Sequence, residues 1–270
     1  MNAPVVISSR DNPLLMRLRR LVADPGATRR LGWIWLEGEH LCRAALARGL
    51  RPRVAVVGER AWRAPAWTEL ARDAERVYVV AEALWRGLST LESPAPLGFL
   101  LELPAPPALQ PDAPSLVLDR VQDAGNVGSI LRSAAALGVV QVLALTGTAG
   151  LWTPKVLRAG MGAHFGLRLI EGIAVDTLDT LHVPLLVTGS HDGVMLPQAR
   201  LPWPCAWAFG HEGQGVQPPL RERAALTLRI PQPGGEESLN VAAAAAICLY
   251  ESLRSRGGRD GGGAADTILR

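Results

Sequence analysis

Three stretches of this chain combine glycine with polar and charged residues in ways that could do chemistry. The first, Asp119-Arg-Val-Gln-Asp-Ala-Gly-Asn-Val-Gly128, follows an apolar run and leads into Ser129-Ile-Leu-Arg-Ser133. A strand that turns into a helix presents backbone N–H groups to an anion, and Asn126 and Arg132 are close enough to border one site. The second, Phe209-Gly-His-Glu-Gly-Gln-Gly-Val216, sets three glycines around Glu212 directly after another apolar run. The third, Leu228 to Leu253, passes from a strand through a Pro/Gly bend to Ser238 and Asn240, which open an alanine-rich helix. Strand, bent loop and helix start can together aim backbone and side-chain polar groups at a ligand. Taken singly, each has an ordinary reading: a glycine turn, a loop, or Ser238 as a plain helix N-cap.

Other chemistries lack their signatures. The glycines around Glu212 lack the Lys-Ser/Thr pair of a phosphate loop, and they sit too late in the chain for a dinucleotide fingerprint. Gly189-Ser-His-Asp-Gly193 does not fit the nucleophile elbow of a hydrolase. The five histidines show no ligand spacing, so no metal is expected. Cys42, Cys205 and Cys248 are far apart and odd in number, which reads as reduced thiols in a cytoplasmic protein.

The elements that must position these residues alternate between strand and helix. Residues 1–103 read as a small α/β unit in an α/β/α layering. Asn12 caps a helix with Pro13 at its first position, and strands follow at Trp33–Leu36, Val54–Val57, Val77–Val80 and Gly98–Leu101. Residues 104–114 are proline-rich and without period, a stiff linker and the clearest domain boundary. From Ser115 to residue 254 a second α/β pattern runs: strands at 115–119, 140–145, 167–170, 184–187, 205–209 and 226–230, with helices between. Such alternation implies a mostly parallel sheet with ligands at its strand C-terminal ends. The alanine-rich run reads as a buried final helix, and the glycine-rich residues 255–270 as a disordered tail.

A hydrophobic content of 48% with 20% charge fits a globular chain, and the longest near-apolar run, Leu239–Tyr250, is too short to span a membrane. Arg10 and Asp11 interrupt the N-terminus before a signal-peptide core could form. Lys155 is the sole lysine, and ten arginines face four acids between Arg10 and Arg53. That local excess suits a phosphate backbone, with Arg10, Arg17, Arg20, Arg29 and Arg30 as candidate phosphate contacts; a solvated helix face is the alternative.

The segments VQDAGNVGSILRSAAALGV, AFGHEGQGV and RIPQPGGEESLNVAAAAAICLYE, in this order, resemble the SpoU/TrmH family of SPOUT-class RNA ribose methyltransferases. ISSRDNPLLMRLRRL and WLEGEHLCRAALARG are similar to the RNA-binding domain that precedes the catalytic domain in many ribosomal-RNA members. The resemblance implies a C-terminal trefoil knot, a homodimer and S-adenosylmethionine as methyl donor. It implies catalytic or RNA-handling roles for Asn126, Arg132, Glu212, Ser238 and Asn240. It also implies a donor pocket of Thr188, Gly189, Gly210, Glu212, Gly213, Ile230, Gln232, Leu239 and Asn240. The expected substrate is ribosomal RNA, with transfer RNA or an inactive RNA-binding relative as alternatives. The chain departs from the family pattern at Ala124, where proline is usual, at Gln232, where methionine is common, and at Ala242, where serine is common.

Overall fold

The computed structural model describes residues 3–189, 192–234 and 238–257. Its contacts group into two compact units that interleave in sequence. The first gathers the chain through Pro107 together with Asp123–Arg132 and Ala149–Gly166. The second gathers Ala108–Gln122, Ser133–Thr148 and the chain from Leu167 onward.

The first unit runs β1 (Val5–Ile7), α1 (Pro13–Ala23), α2 (Ala27–Leu31), β2 (Trp33–Glu37), α3 (Glu39–Ala47) and β3 (Val54–Gly58). It continues with α4 (Pro65–Ala71), β4 (Arg76–Val80), α5 (Glu82–Trp85) and β5 (Leu97–Glu102). The sheet order is β1-β4-β3-β5-β2, parallel at β1/β4/β3 and antiparallel where β5 pairs with β3 and β2. Leu15, Leu18 and Leu21 of α1 recur at helical spacing, so one face of that helix is apolar and packs with Trp35, Val56, Val80 and Leu100. Gly98 makes room for this core, because a Cβ there would meet the Trp35 indole at 2.3 Å. Asn12 caps α1 as its position implies, its Oδ1 accepting the Leu14 N–H at 2.9 Å. The short strand β1 and helix α2 carry too few periodic residues for sequence to reveal them.

The second unit contains β6 (Ser115–Asp119), β7 (Gln141–Leu145), β8 (Arg168–Ile173), β9 (Leu185–Thr188), β10 (Val194–Met195), β11 (Ala206–Gly210) and β12 (Leu226–Arg229). All pair in parallel in the order β10-β12-β9-β11-β6-β7-β8. The expected mostly parallel α/β sheet is present, with the two-residue β10 added at its edge. Its core sets Val117, Leu143, Val187 and Ala208 against Leu178 and Leu220. Before β6, Gln141 clasps the chain: its Oε1 accepts the Gln110 N–H at 3.0 Å and its Nε2 donates to Gln110 O at 2.8 Å.

Three helices complete the described chain: α6 (Ala124–Ala136), α7 (Pro154–Gly160) and α9 (Val241–Gly257), with the short α8 (Pro218–Glu222) preceding β12. Helix α6 starts within the first motif, at Ala124, where the Asp123 carboxylate accepts the Asn126 N–H at 2.7 Å. In the first unit α7 packs on β2, and Arg158 donates to the buried Glu37 carboxylate at 3.1 Å and to Thr90 Oγ1 at 2.9 Å. Helix α9, expected as a buried helix, is buried along one face, through Ala245, Cys248, Leu249 and Ser252. It extends to Gly257, and the rest of the expected glycine-rich tail lies outside the described residues. Burial pushes the Cys205 thiol up to about 12 and raises those of Cys42 and Cys248, so all three cysteines are poor nucleophiles.

His164 is a buried core histidine of the first unit. Its Nε2 lies 2.8 Å from Leu151 O, an acceptor, so Nε2 carries the proton; Nδ1 has no partner, and Trp152 stands 5.4 Å away. Burial lowers its pKa from 6.5 to about 4. Between these values the unfolded chain takes up a proton that the native state refuses. Stability is therefore full above pH 6.5 and falls as the pH drops towards 4, by about 3 kcal/mol in all. Urea midpoints measured across this range are expected to fall with pH, and His164→Gln is expected to flatten that dependence.

Candidate active site

In the second unit β12, β9 and β11 are parallel neighbours, so Arg229, Thr188 and Gly210 leave the sheet at one edge. A cavity of about 670 Å³ opens there, within the range of small-molecule sites. Thr188, Gly189, Gly210, Glu212, Gly213, Ile230, Gln232, Leu239 and Asn240, the nine residues expected to contact a small ligand, all line it. Ser238 lines it too. His211, Gln214 and Val216 of the second motif also line it, as does Arg221, which lies outside the motifs read from sequence.

Two glycines of the second motif, Gly210 and Gly215, are required by its fold. After β11 the chain turns back on itself: His211 O accepts the Gly215 N–H at 2.8 Å, and His211 Nδ1 accepts the Gly213 N–H at 3.0 Å. A Cβ on Gly210 would lie 2.1 Å from the Gly215 carbonyl carbon, and Gly215 adopts a φ of 66°. Only glycine meets both demands without strain.

A buried carboxylate ties this turn to the first motif. Asp119, the last residue of β6, is fully buried and accepts from Arg120 Nε at 2.8 Å, from the Gln217 N–H at 2.7 Å and from Gln217 Nε2 at 2.8 Å. The second Arg120 edge reaches Gln214 Oε1 at 2.9 Å on the cavity wall. Arg120 holds a left-handed φ of 59°, strained for a side chain of its size, and its N–H donates to Thr148 Oγ1 at 3.0 Å. Glu212 makes a further link, accepting the Gln122 N–H at 3.3 Å. Arg221 donates from Nε to Val216 O at 3.0 Å, and its Nη1 lies 3.6 Å from Asp192.

The third motif closes the cavity differently from its simplest reading. Asn240, not Ser238, caps α9: its Oδ1 accepts the N–H groups of Ala242 at 2.9 Å and Ala243 at 3.2 Å. Ser238, Leu239 and Asn240 are all exposed. Gln232 Oε1 is buried without a hydrogen-bond partner.

The structure does not place Asn126 and Arg132 in the lining of this cavity; both belong to the part of α6 that groups with the first unit. Arg132 is exposed and Asn126 half-buried. Gly128 serves helix packing, since a Cβ there would meet Ala159 Cβ at 2.3 Å. Arg10, Arg17, Arg20, Arg29 and Arg30 are exposed on the first unit; Arg30 pairs with Asp24, and Arg17 lies 5.3 Å from the Trp33 ring centroid. Among the described residues no group of three or more His, Cys, Asp or Glu side chains could hold a metal ion, and no helix is long and apolar enough to cross a membrane.

Comparison with known proteins matches residues 113–250 to the SpoU rRNA Methylase family. The chain is 32% identical over 224 residues to the 23S rRNA (guanosine(2553)-2'-O)-methyltransferase RlmP of Bacillus subtilis, covering 80% of this chain and 86% of that one. It is 34% identical over 193 residues to the 23S rRNA (guanosine-2'-O-)-methyltransferase RlmB of Bordetella pertussis, covering 70% and 75% of the two chains. Among solved structures, the SpoU methyltransferase AviRb of Streptomyces viridochromogenes, in complex with AdoMet, matches with a TM-score of 0.82 at 25% identity. That match covers 91% of this chain and 98% of the other.

Removing one partner of a buried, hydrogen-bonded charge typically costs about 3–5 kcal/mol. Asp119→Ala is expected to lower the unfolding free energy by about that amount in urea titrations. A loss below about 1 kcal/mol would show that this network does not hold the unit together.

Proposed function

Because this chain belongs to the SpoU rRNA methylase family, we propose that it transfers a methyl group from S-adenosylmethionine to a ribose 2′-oxygen of RNA, with ribosomal RNA as substrate. The observation that carries this reading is the cavity where β9, β11 and β12 end, lined by residues of the second and third motifs together. Its residues fit the donor. Ile230, Leu239, Val241 and Ala244 offer an apolar wall for a nucleoside, and Glu212 and Arg221 offer counter-charges for an α-amino acid.

When bound, S-adenosylmethionine supplies a methyl group on a sulfonium leaving group. The protein must align the acceptor oxygen in line with it, which alone can be worth about 7–11 kcal/mol. We assign Asn126 and Ser238 to orient the ribose, and Glu212 to order the loops through the Gln122 N–H. Asn240 holds the start of α9 at the cavity. A guanidinium stays protonated and cannot serve as the base. Arg132 instead binds the neighbouring phosphate and stabilises the charge that develops as the 2′-oxygen loses its proton to that phosphate or to water. The 2′-oxygen–carbon bond forms as the carbon–sulfur bond breaks.

In this reading residues 1–103, with Arg10, Arg17, Arg20, Arg29 and Arg30, bind RNA; residues 104–114 link them to a transferase domain at 115–254 that carries the family's trefoil knot. The three buried, unpaired cysteines support a cytoplasmic location.

Purified enzyme with methyl-labelled S-adenosylmethionine is expected to label ribosomal RNA from a strain lacking it, at one ribose, and to leave wild-type ribosomal RNA unlabelled. Labelling of transfer RNA alone would overturn the substrate. Arg132→Lys is expected to lower kcat at least tenfold, with donor affinity unchanged in calorimetry; near-full turnover would remove the bidentate role.

The exposed face of α9 supports a homodimer. Ile247, Tyr250 and Leu253 recur at helical spacing and are 40%, 59% and 40% exposed, an apolar stripe suited to a second copy. Light scattering is expected to give twice the chain mass, and Ile247→Glu with Tyr250→Glu a folded monomer. A wild-type monomer at tens of micromolar would exclude this interface.

A further inference from the structure

We infer that Gln214 and Arg221 together bind the carboxylate of the donor's amino-acid end, with Arg120 fixing which edge of the Gln214 amide is offered to it. The inference rests on the donor-site reading above and deepens it by naming the groups that select a carboxylate-bearing donor. Both side chains line the cavity. Gln214 is exposed and the Arg221 side chain is 38% exposed, so each is open to a ligand.

A guanidinium donates hydrogen bonds and never accepts them. Arg120 Nη1 donates to Gln214 Oε1 at 2.9 Å, so the amide turns its oxygen to Arg120 and leaves its Nε2 donors on the other edge. Arg120 is itself held by the buried Asp119 carboxylate, through Nε at 2.8 Å and Nη2 at 3.2 Å. A buried charge thus sets the polarity of a side chain on the cavity wall. Among the described residues, Gln214 Nε2 finds no hydrogen-bond acceptor. Arg221 is anchored in a similar way. Its Nε donates to Val216 O at 3.0 Å, which fixes the guanidinium, while neither Nη group makes a hydrogen bond with the described residues. Nη1 lies 3.6 Å from the exposed Asp192 carboxylate, a loose surface pair that leaves the cation available. Nη2 lies 3.7 Å from the point that a Cβ on Gly215 would occupy, and Gln214 is the residue before Gly215. Both sets of free donors therefore belong to one short piece of the turn. Neutral N–H donors beside a fixed guanidinium suit a carboxylate, which accepts at both oxygens. Glu212, two residues before Gln214, suits the amine of the same amino acid.

The test compares two ligands by calorimetry, without turnover. S-adenosylhomocysteine carries the carboxylate; its decarboxylated analogue, S-adenosyl-3-thiopropylamine, keeps the nucleoside and the amine and lacks it. The wild type is expected to bind the carboxylate ligand more tightly. Arg221→Met, which removes the cation, and Gln214→Glu, which turns the free donor edge into acceptor oxygens, are each expected to lose about tenfold or more of that preference, the scale of one hydrogen bond to a charged group. Binding of the decarboxylated ligand is expected to persist in both variants, and thermal melts would show that each is folded. A wild type without preference, or a preference unchanged in both variants, would overturn the carboxylate subsite and leave the donor site standing. A preference unchanged in one variant would remove that residue from it. Variants that keep the preference but lose affinity for ribosomal RNA would assign these donors to the substrate's phosphates and overturn the inference. Failure of the wild type to bind either ligand would overturn the donor site and this inference with it.

Discussion

The Asp119 carboxylate is the constraint on which the site depends. A charge removed from water must be saturated with hydrogen bonds, and here the donors come from the first motif and from Gln217, the residue just after the second. Arg120 supplies one side and Gln217 the other, from backbone and side chain. Since Gln217 ends the stretch that began at Gly210, satisfying the charge fixes where the glycine turn must return. The same Arg120 guanidinium reaches Gln214, so one network sets both the floor beneath the turn and part of the cavity wall. The left-handed backbone of Arg120 is the local strain this arrangement carries.

Close packing supplies the second constraint. Gly210 and Gly215 let the chain double back at contact distance, which brings Glu212 and Gly213 over the strand ends. The parallel pairing of β12, β9 and β11 then brings three strand exits to one edge. Asn240 caps α9 at that edge, so the helix begins at the cavity. Turn, strand exits and helix start form one pocket because the sheet order places them side by side.

Helix α9 has two faces with different work. Cys248, Leu249 and Ser252 hold it to its unit, with the Trp207 indole donating to Ser252 Oγ at 2.9 Å, while the stripe through Tyr250 is left to solvent. The alanine-rich composition that reads as uniform burial reflects a helix close to the sheet on one side only. A helix apolar all round in sequence acquires sidedness only once its neighbour is known.

Much of the chain was legible before its structure. Six of the seven strands between Ser115 and Arg229, all but the two-residue β10, declared themselves by apolar runs between turn residues, and parallel order followed from strand–helix alternation. The three motifs gave the family because their residue types and order are specific, and the expected ligand contacts all fall on residues of a single lining. What sequence left hidden depends on partners distant along the chain. Asp119 is an ordinary acid until Gln217 meets it, Gly128 reads as a loop glycine until Ala159 crowds it, and Asn240 takes the cap that Ser238 appeared to offer. Gln232 stood in sequence as a substitution within a motif and an expected pocket residue; that its oxygen is buried without a partner was visible only in the fold. Periodicity and residue type are local and survive in the sequence, whereas burial and the pairing of a charge are decided by which segments the tertiary structure brings into contact.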